Sequence, residues 1–220
     1  MGFFMLMFVI IFGALATAGS FVTAARPSKR KVRNDIDSIR NEMKEESVHL
    51  VPWKKEEIEL FSLNQSNKKK RRGWSTNLSG YFTNIYHEKV LLYYLKRYGN
   101  RGKNAVVFAR NSANEYIYNV SREGVEIYID EYYLGFLQAN GELHDTKNRK
   151  KIAQMDRESQ TSKMIIYVDN QPIGAVAREL KEDTKIKQRA FEPMRLGSEK
   201  NQQIFLALGF FHLIMQEVNN

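Results

Sequence analysis

The sequence predicts a mainly β fold in which a closed sheet surrounds a hydrophobic C-terminal helix. Three observations predict it: an apolar segment near the end of the chain, a long succession of short strand patterns before it, and a hairpin that occurs twice. The alternative left open is a helix lying across one face of an open sheet. These features establish architecture better than activity.

The C-terminal segment from Gln202 to Val218 is predicted to be a helix, with Ser198 as its N-cap. Between Ile204 and Met215 the apolar residues occupy every face of that helix, so it must be surrounded on all sides by lipid or by protein. The apolar run is about twelve residues, whereas crossing a bilayer takes roughly 20. Protein is therefore the expected surround.

The composition excludes several kinds of chemistry. The chain has 220 residues and no cysteine, which excludes disulfides, thiolate metal sites, cysteine nucleophiles and S-acylation. The formal charge of +9 favours an acidic partner surface, such as phospholipid headgroups, nucleic acid or an acidic protein. Because much of this charge lies in local clusters, each cluster has to be judged separately.

The segment from Gly2 to Ala25 contains no charged residue and is long enough to cross a bilayer. The basic residues that flank it all follow it: Arg26, Lys29, Arg30, Lys31 and Arg33. The positive-inside rule then predicts a single-pass membrane anchor over residues 1–27, with the N-terminus outside and the rest of the chain cytoplasmic. A cleaved signal peptide is the competing interpretation, although such peptides carry their positive charge before the apolar core.

Residues 28–52 are predicted to form a charged, helical connector that ends at Pro52. Ile36, Ile39 and Met43 recur at helical spacing and form a narrow apolar seam. We expect this seam to contact a partner helix or the lipid headgroups, with a solvated stalk as the equal alternative. Residues 53–220 then form the predicted β domain.

The alternation from Glu57 to Leu63 predicts the first strand of that domain. The further predicted strands are Gly80–His87, Lys89–Arg97, Ala105–Arg110, Tyr116–Val120, Val125–Ile129, Leu134–Gln138, Ile152–Met155, Met164–Val168 and Ile173–Ala177. Asn, Gly, Asp and Ser separate most of them, as hairpin turns require. Many short strands at regular spacing favour a barrel or a sandwich.

A hairpin is repeated within the chain. Glu126–Leu137 aligns without a gap on Ile165–Val176, sharing an aliphatic residue, Tyr, an aliphatic residue, Asp, and then an aliphatic residue followed by Gly. Each copy predicts a strand, a turn led by Asp130 or Asp169, and a return strand. The Asp side chain can bond the turn backbone, and the glycine lets the backbone bend or pack closely.

This hairpin, in a strand-rich domain that ends in a wholly apolar helix, resembles the tubby-like superfamily, which includes the tubby C-terminal domain, the LURP-one-related proteins and the phospholipid scramblases. The resemblance covers about residues 57–218. It implies a roughly twelve-stranded antiparallel barrel around the C-terminal helix, and binding of phosphoinositide or other anionic lipid by a basic face. The cysteine cluster and acidic calcium segment of scramblases are missing, and no residue matches a tubby lipid ligand.

No motif predicts catalysis, a cofactor or a metal site. The sequence from His87 to Leu91 begins like a zinc protease motif, but Leu91 stands where the second histidine ligand is required. The chain contains no glycine-rich phosphate loop and no Gly-x-Ser-x-Gly elbow. We therefore expect a protein that is not an enzyme.

Two basic runs are the predicted lipid- or partner-binding sites, and a solvated loop is the alternative for each. The first is expected to be a hairpin loop and comprises Lys68, Lys69, Lys70, Arg71 and Arg72. The second precedes the Ile152 strand and comprises Lys147, Arg149, Lys150 and Lys151. Nucleic acid is the weaker expectation, because most Tyr and Phe residues alternate with aliphatic residues inside strands.

The sequence thus predicts a non-catalytic, membrane-anchored binding protein whose cytoplasmic barrel associates with anionic phospholipid or with a partner protein at the membrane. The alternative is a structural accessory subunit of a larger membrane complex, with no role in lipid recognition. A third interpretation is a secreted β domain released by signal cleavage.

Overall fold

A computed structural model describes residues 27–52, 54–72, 75–98, 104–145, 150–157, 162–178 and 189–219. Residues 1–26 of the predicted membrane anchor, including Arg26, lie outside this part of the chain, as do Lys147 and Arg149. Within the described part of the chain, no helix is both long enough and apolar enough to cross a bilayer.

Two α-helices and a 3-10 helix accompany twelve strands. The helices are α1 (Lys29–Ser47), the 3-10 helix (Lys55–Leu60) and α2 (Glu199–Asn219). The strands are β1 (Phe61–Arg72), β2 (Ser75–Asn84), β3 (Lys89–Tyr98), β4 (Asn104–Arg110), β5 (Glu115–Val120), β6 (Val125–Ile129), β7 (Tyr132–Leu137), β8 (Glu142–His144), β9 (Lys151–Met155), β10 (Lys163–Val168), β11 (Gln171–Ala177) and β12 (Phe191–Pro193).

All twelve strands form one sheet in which each strand pairs with its neighbours in sequence, always antiparallel. Its two edges meet where the Ala190 N–H donates to the Phe61 carbonyl at 2.8 Å and Ser62 bridges to Arg189. The sheet is therefore a nearly closed barrel. Odd-numbered strands all run toward one end, here called the upper end, and even-numbered strands run toward the lower end.

The helix α2 is enclosed by this sheet. Every residue from Ile204 to Phe211 is buried, which leaves no face of the helix in solvent over two turns. The Tyr118 hydroxyl of β5 donates to the Ala207 carbonyl at 2.7 Å, and the Phe210 ring packs against Phe61. The prediction of a barrel around a hydrophobic C-terminal helix is confirmed, and the open-sheet alternative is wrong.

The repeated hairpin is present as β6–β7 and β10–β11. Both turn residues of each copy have positive φ, 48° and 71° at Asp130 and Glu131 and 47° and 62° at Asp169 and Asn170, which is typical of type I′ hairpin turns. In each hairpin the strand register shifts between an isoleucine and the tyrosine that follows it, at Ile127–Tyr128 and at Ile166–Tyr167. The repeat therefore includes the bulge as well as the turn.

The role expected for the turn aspartate is wrong in one respect. The Asp130 carboxylate accepts from the Glu115 N–H at 2.7 Å and from the Asn114 amide at 2.6 Å, so it bonds the neighbouring β4–β5 connection and not its own turn. The glycine prediction is confirmed at Gly174, where an added Cβ would lie 2.5 Å from the Phe205 ring. The two hairpins therefore fix neighbouring elements as well as their own register.

The start of the barrel differs from the prediction. Residues up to Leu60 form the 3-10 helix, because the Lys54 N–H donates to the Glu57 carboxylate at 2.8 Å and the Glu57 N–H donates to the Lys54 carbonyl at 3.0 Å. The strand expected from Glu57 thus begins only at Phe61. It then continues through the basic run, pairing Lys68 with Ser79 and Arg72 with Ser75. The expectation of a basic hairpin loop at Lys68–Arg72 is wrong, since backbone pairing with β2 extends the strand through it.

Candidate functional site

The helix α1 lies on the outer wall of the barrel. Ile39 and Met43 are buried against Leu92, Tyr94 and Phe108, and Leu50 and Ile117 belong to the same cluster. The seam predicted in the connector is confirmed as a contact surface, but its partner is the barrel itself. The expected contact with a separate helix or with lipid headgroups is wrong, and so is the expected solvated stalk. The reason is that the outer faces of β3 to β5 are apolar where the seam docks.

Polar contacts set the direction of α1 on the wall. The Asp35 carboxylate accepts from the Lys96 ammonium at 2.8 Å and from the Tyr98 hydroxyl at 2.7 Å. Near the other end of the helix, Glu46 lies 3.6 Å from the Lys89 ammonium. Since β3 runs from Lys89 to Tyr98, α1 is antiparallel to β3 and begins at the upper end of the barrel. Burial raises the pKa of Tyr98, and the hydrogen bond to Asp35 raises it further.

An ionic cluster joins the middle of α1 to three other elements. Arg40 contacts Glu115 of β5, Glu131 of the β6–β7 turn and Asp37 of its own helix, at N–O distances between 2.9 and 3.2 Å. The hydrogen bond to Glu115 is the main cause that raises the pKa of Arg40. Glu115 is bonded a second time, by Arg110 at 3.0 Å. Two cations and three carboxylates are thus paired in one network over the centre of the helix.

The upper end collects two of the predicted basic clusters. Lys29, Arg30, Lys31 and Arg33 occupy the first turns of α1 and are exposed. The Lys31 ammonium lies 5.7 Å from the centre of the Tyr98 ring, at the end of β3. Tyr98 pairs with Ser75, which pairs with Arg72, so the end of the Lys68–Arg72 run is two strands away, about 10 Å in the sheet. The sequence separated these clusters by some 40 positions, and the fold brings them to one end.

The other predicted basic run lies elsewhere. Lys151 begins β9, an odd-numbered strand, so Lys150 and Lys151 lie at the lower end of the barrel. The Lys151 ammonium is also engaged, 3.1 Å from the Gln154 side-chain oxygen and 3.7 Å from the Glu142 carboxylate. Lys150 and Lys151 therefore do not share a surface with the Lys68–Arg72 run, and Lys147 and Arg149 lie outside the described residues.

A groove of about 940 Å³ separates the first half of α1 from strands β4 to β6. Apolar side chains from both sides line it, among them Val32, Ile36, Val106 and Ile117, together with the cations Lys29 and Arg33. Sequence patterns did not predict this groove. Its walls are α1 on one side and strands β4 to β6 on the other, so it is a property of the docked pair of elements.

Metal-ligating side chains are dispersed in the described residues. Nowhere in that part of the chain do three His, Asp or Glu side chains come close enough to hold a metal ion. His212 lies in α2, and burial, followed by the nearby charges of Arg157 and Arg178, lowers its pKa to about 4. The most prominent surface features are therefore the basic clusters of the upper end and the groove beside α1.

The chain matches no protein-family model, no curated protein and no solved structure.

Proposed function

We propose that this is a non-catalytic, membrane-anchored binding protein whose barrel meets anionic phospholipid with its upper end. The observation that carries the proposal is the docking of α1 antiparallel to β3, which brings Lys29–Arg33 and the end of the Lys68–Arg72 strand to the same end of the barrel. That end is also where the chain leaves the predicted anchor over residues 1–27.

The physical basis is additive attraction at short range. A basic residue close to an anionic leaflet contributes about 1 kcal/mol, and the attraction decays over a Debye length of about 8 Å at physiological ionic strength. Two clusters at one end can lie within that distance together, whereas Lys150 and Lys151 at the other end cannot. The anchor adds effective concentration, because the barrel remains near the surface.

We further propose that the barrel belongs to the tubby-like superfamily. Support comes from twelve antiparallel strands in sequential order and a C-terminal helix buried within them. The repeated hairpin with its glycine and bulge supports the same proposal. A basic lipid-binding face is the property that the resemblance implies.

Flotation with vesicles tests the lipid-binding proposal. The piece to use begins at residue 27, because removing α1 would expose the Leu92, Tyr94 and Phe108 surface that it covers. We expect this piece to float with vesicles containing a third phosphatidylglycerol and to remain behind with pure phosphatidylcholine. Raising the salt from 0.1 to 0.5 M should abolish flotation. Flotation that ignores lipid charge and salt would contradict the proposal.

A matched pair of variants locates the surface. Replacing Lys68, Lys69, Lys70 and Arg71 by Gln removes four charges from the upper end and should reduce anionic flotation at least fivefold. Replacing Lys147, Arg149, Lys150 and Lys151 by Gln removes the same charge from residues 147–151, which end at the first residue of β9, and should change flotation less than twofold. Equal losses would show that overall charge, and not the upper end, controls binding.

A structural accessory subunit is the second candidate, and one observation favours it. The large hydrophobic residues that are exposed in the described part of the chain are Val48, Tyr86, Tyr132 and Met194, and all four lie at the lower end. Tyr132 is 82% exposed beside Asp130 and Glu131. Exposed aromatic and apolar side chains of this kind suit a protein partner. Chemical crosslinking of the native protein at the lower end, with flotation indifferent to lipid charge, would support this function instead.

A further inference from the structure

The groove beside α1 has a shape and lining that suit one acyl chain. Its volume of about 940 Å³ is within the range of ligand clefts, and it lies between the first half of α1 and the outer face of β4 to β6. Val32 and Ile36 form its helical side, and Val106, Ile117 and Val120 form its sheet side. An extended hydrocarbon chain can therefore contact apolar side chains on both walls.

Three cations and three carboxylates line the groove, so its lining as a whole carries no net formal charge. Arg40 lies within 3.2 Å of both Asp37 and Glu131, and the third carboxylate, Glu126, lies beside Asn119. Lys29 and Arg33 are exposed and form no ion pair with any described residue. Their spacing of four residues places both on the side of α1 that faces the groove. The unpaired positive charge of the lining is therefore concentrated at the start of the helix.

A buried acceptor in the groove lacks a donor. The side-chain oxygen of Asn119 is shielded from solvent and has no hydrogen-bond partner, although Asn119 lines the groove. Its amide nitrogen makes only a long contact of 3.4 Å to Glu126. An unsatisfied buried acceptor of this kind costs free energy, and a ligand hydroxyl would satisfy it.

We propose that this groove holds a single anionic glycerophospholipid, with an acyl chain between α1 and the sheet, the phosphate at Lys29 and Arg33, and a headgroup hydroxyl donating to Asn119. The inference deepens the proposed function and depends on it for the source of the ligand. Pro27 lines the groove two residues after the uncharged segment Gly2–Ala25, so the predicted anchor would place the opening near the headgroups of the leaflet. A lipid can enter there without leaving the membrane.

Native mass spectrometry of the full chain tests the groove directly. The protein is purified in a nonionic detergent with equal amounts of phosphatidylglycerol and phosphatidylcholine, and the lipid that stays bound is counted. We expect one retained phospholipid, with phosphatidylglycerol favoured at least fivefold. Val32→Trp, which fills the groove, should remove it. Asn34→Trp, on an exposed part of the same helix away from the groove, should retain it. Retention by both variants would overturn the proposal.

Three further variants separate headgroup recognition from general attraction. Arg33→Glu should remove the preference for phosphatidylglycerol, whereas Arg30→Glu, an identical charge change three residues away and outside the groove lining, should preserve it. Asn119→Leu should reduce the preference for phosphatidylglycerol over phosphatidylmethanol, an anionic phosphodiester whose headgroup has no hydroxyl. If Arg33→Glu and Arg30→Glu changed the lipid preference equally, the preference would come from general surface attraction, and the proposal would be overturned.

These experiments distinguish failure of the groove proposal from failure of the proposed function. If Val32→Trp retains lipid as the wild type does while salt-sensitive flotation persists, the groove is refuted and surface binding by the upper end stands. If flotation ignores lipid charge and no phospholipid is retained, both proposals fail together.

Discussion

The Arg40 guanidinium of α1 lies 2.9 Å from the Glu115 carboxylate of β5, joining helix and sheet across 75 residues of sequence. Both side chains are partly exposed, so the pair itself contributes at most about 1 kcal/mol. Its effect is on position, because Glu115 is also held by Arg110 and so offers Arg40 a fixed target. The apolar seam supplies the stability of the contact, and the ion pairs determine which way the helix points.

Truncation of the seam should loosen α1. Ile39 is only 3% exposed, so Ile39→Ala should lower the free energy of unfolding by about 2–4 kcal/mol and increase amide hydrogen exchange throughout α1. Ser38→Ala, at the adjacent exposed position, is the control and should change neither quantity. Unchanged exchange in α1 after Ile39→Ala would mean that the helix is held by its charges.

Removal of the Asp35 charge should weaken the upper half of the helix contact. Asp35→Asn keeps the shape but leaves the Lys96 ammonium without its counter-charge, at an expected cost of about 1–3 kcal/mol in urea unfolding. The same change should lower the pKa of Tyr98 in an ultraviolet titration, because Asp35 contributes to raising it. Asp37→Asn, at a largely exposed carboxylate, should cost under about 0.5 kcal/mol. A similar loss from both would contradict the proposed role of Asp35.

Because the sheet encloses α2, we expect a Gly→Ala substitution in this helix to lower the stability of the protein, whereas such a substitution usually raises it. Gly→Ala in a helix normally stabilises by about 1 kcal/mol, but a Cβ on Gly209 would lie 2.6 Å from the Phe191 ring. Gly209→Ala should therefore destabilise the protein by about 1–3 kcal/mol in thermal or denaturant unfolding. The double variant Gly209→Ala/Phe191→Leu tests the cause, since a smaller partner should recover part of the loss. Stabilisation by the single substitution would show that the barrel has room around the helix.

His212 should make the stability of the barrel depend on acidity. Its pKa is about 4 in the folded protein and about 6.5 in the unfolded chain. The unfolded state therefore takes up the proton first, so stability is retained above pH 6.5 and falls by up to about 3 kcal/mol as the pH drops to 4. His212→Leu should flatten this slope in denaturant unfolding at several pH values, whereas His49→Leu, at an exposed position, should not. An unchanged slope in His212→Leu would assign the acid sensitivity to other groups.

Those parts of the fold with a local cause could be predicted. The apolar pattern of α2 predicted that the helix is enclosed. The repeated hairpin motif predicted two turns that begin with Asp, and the residues of both turns have the positive φ that type I′ turns need. Strand boundaries between Lys89 and Ala177 agree with the structure to within about two residues, except that β8 was not predicted. β8 and β12 have three residues each, too few for an alternation to be visible.

The candidate site was predicted only as separate pieces. The basic residues were identified, but Lys68–Arg72 was expected in a loop, and the distance between it and Lys29–Arg33 was unknown. The contacts of Asp35 with Lys96 and Tyr98 join residues more than 60 positions apart, and no local pattern encodes them. The groove has no sequence signature because its walls come from α1 and three strands.

Residue patterns were enough to predict that the last helix is surrounded by protein, that a repeated hairpin contributes to the sheet, and that positive charge is concentrated in short runs. The folded chain was needed to show that α1 lies on the barrel wall, that two of those runs share the upper end, and that Lys150 and Lys151 lie at the lower one. The difference arises because hydrophobic periodicity and turn conformation act within a few residues, whereas the docking of an apolar seam and the meeting of distant charges depend on how the whole sheet curves.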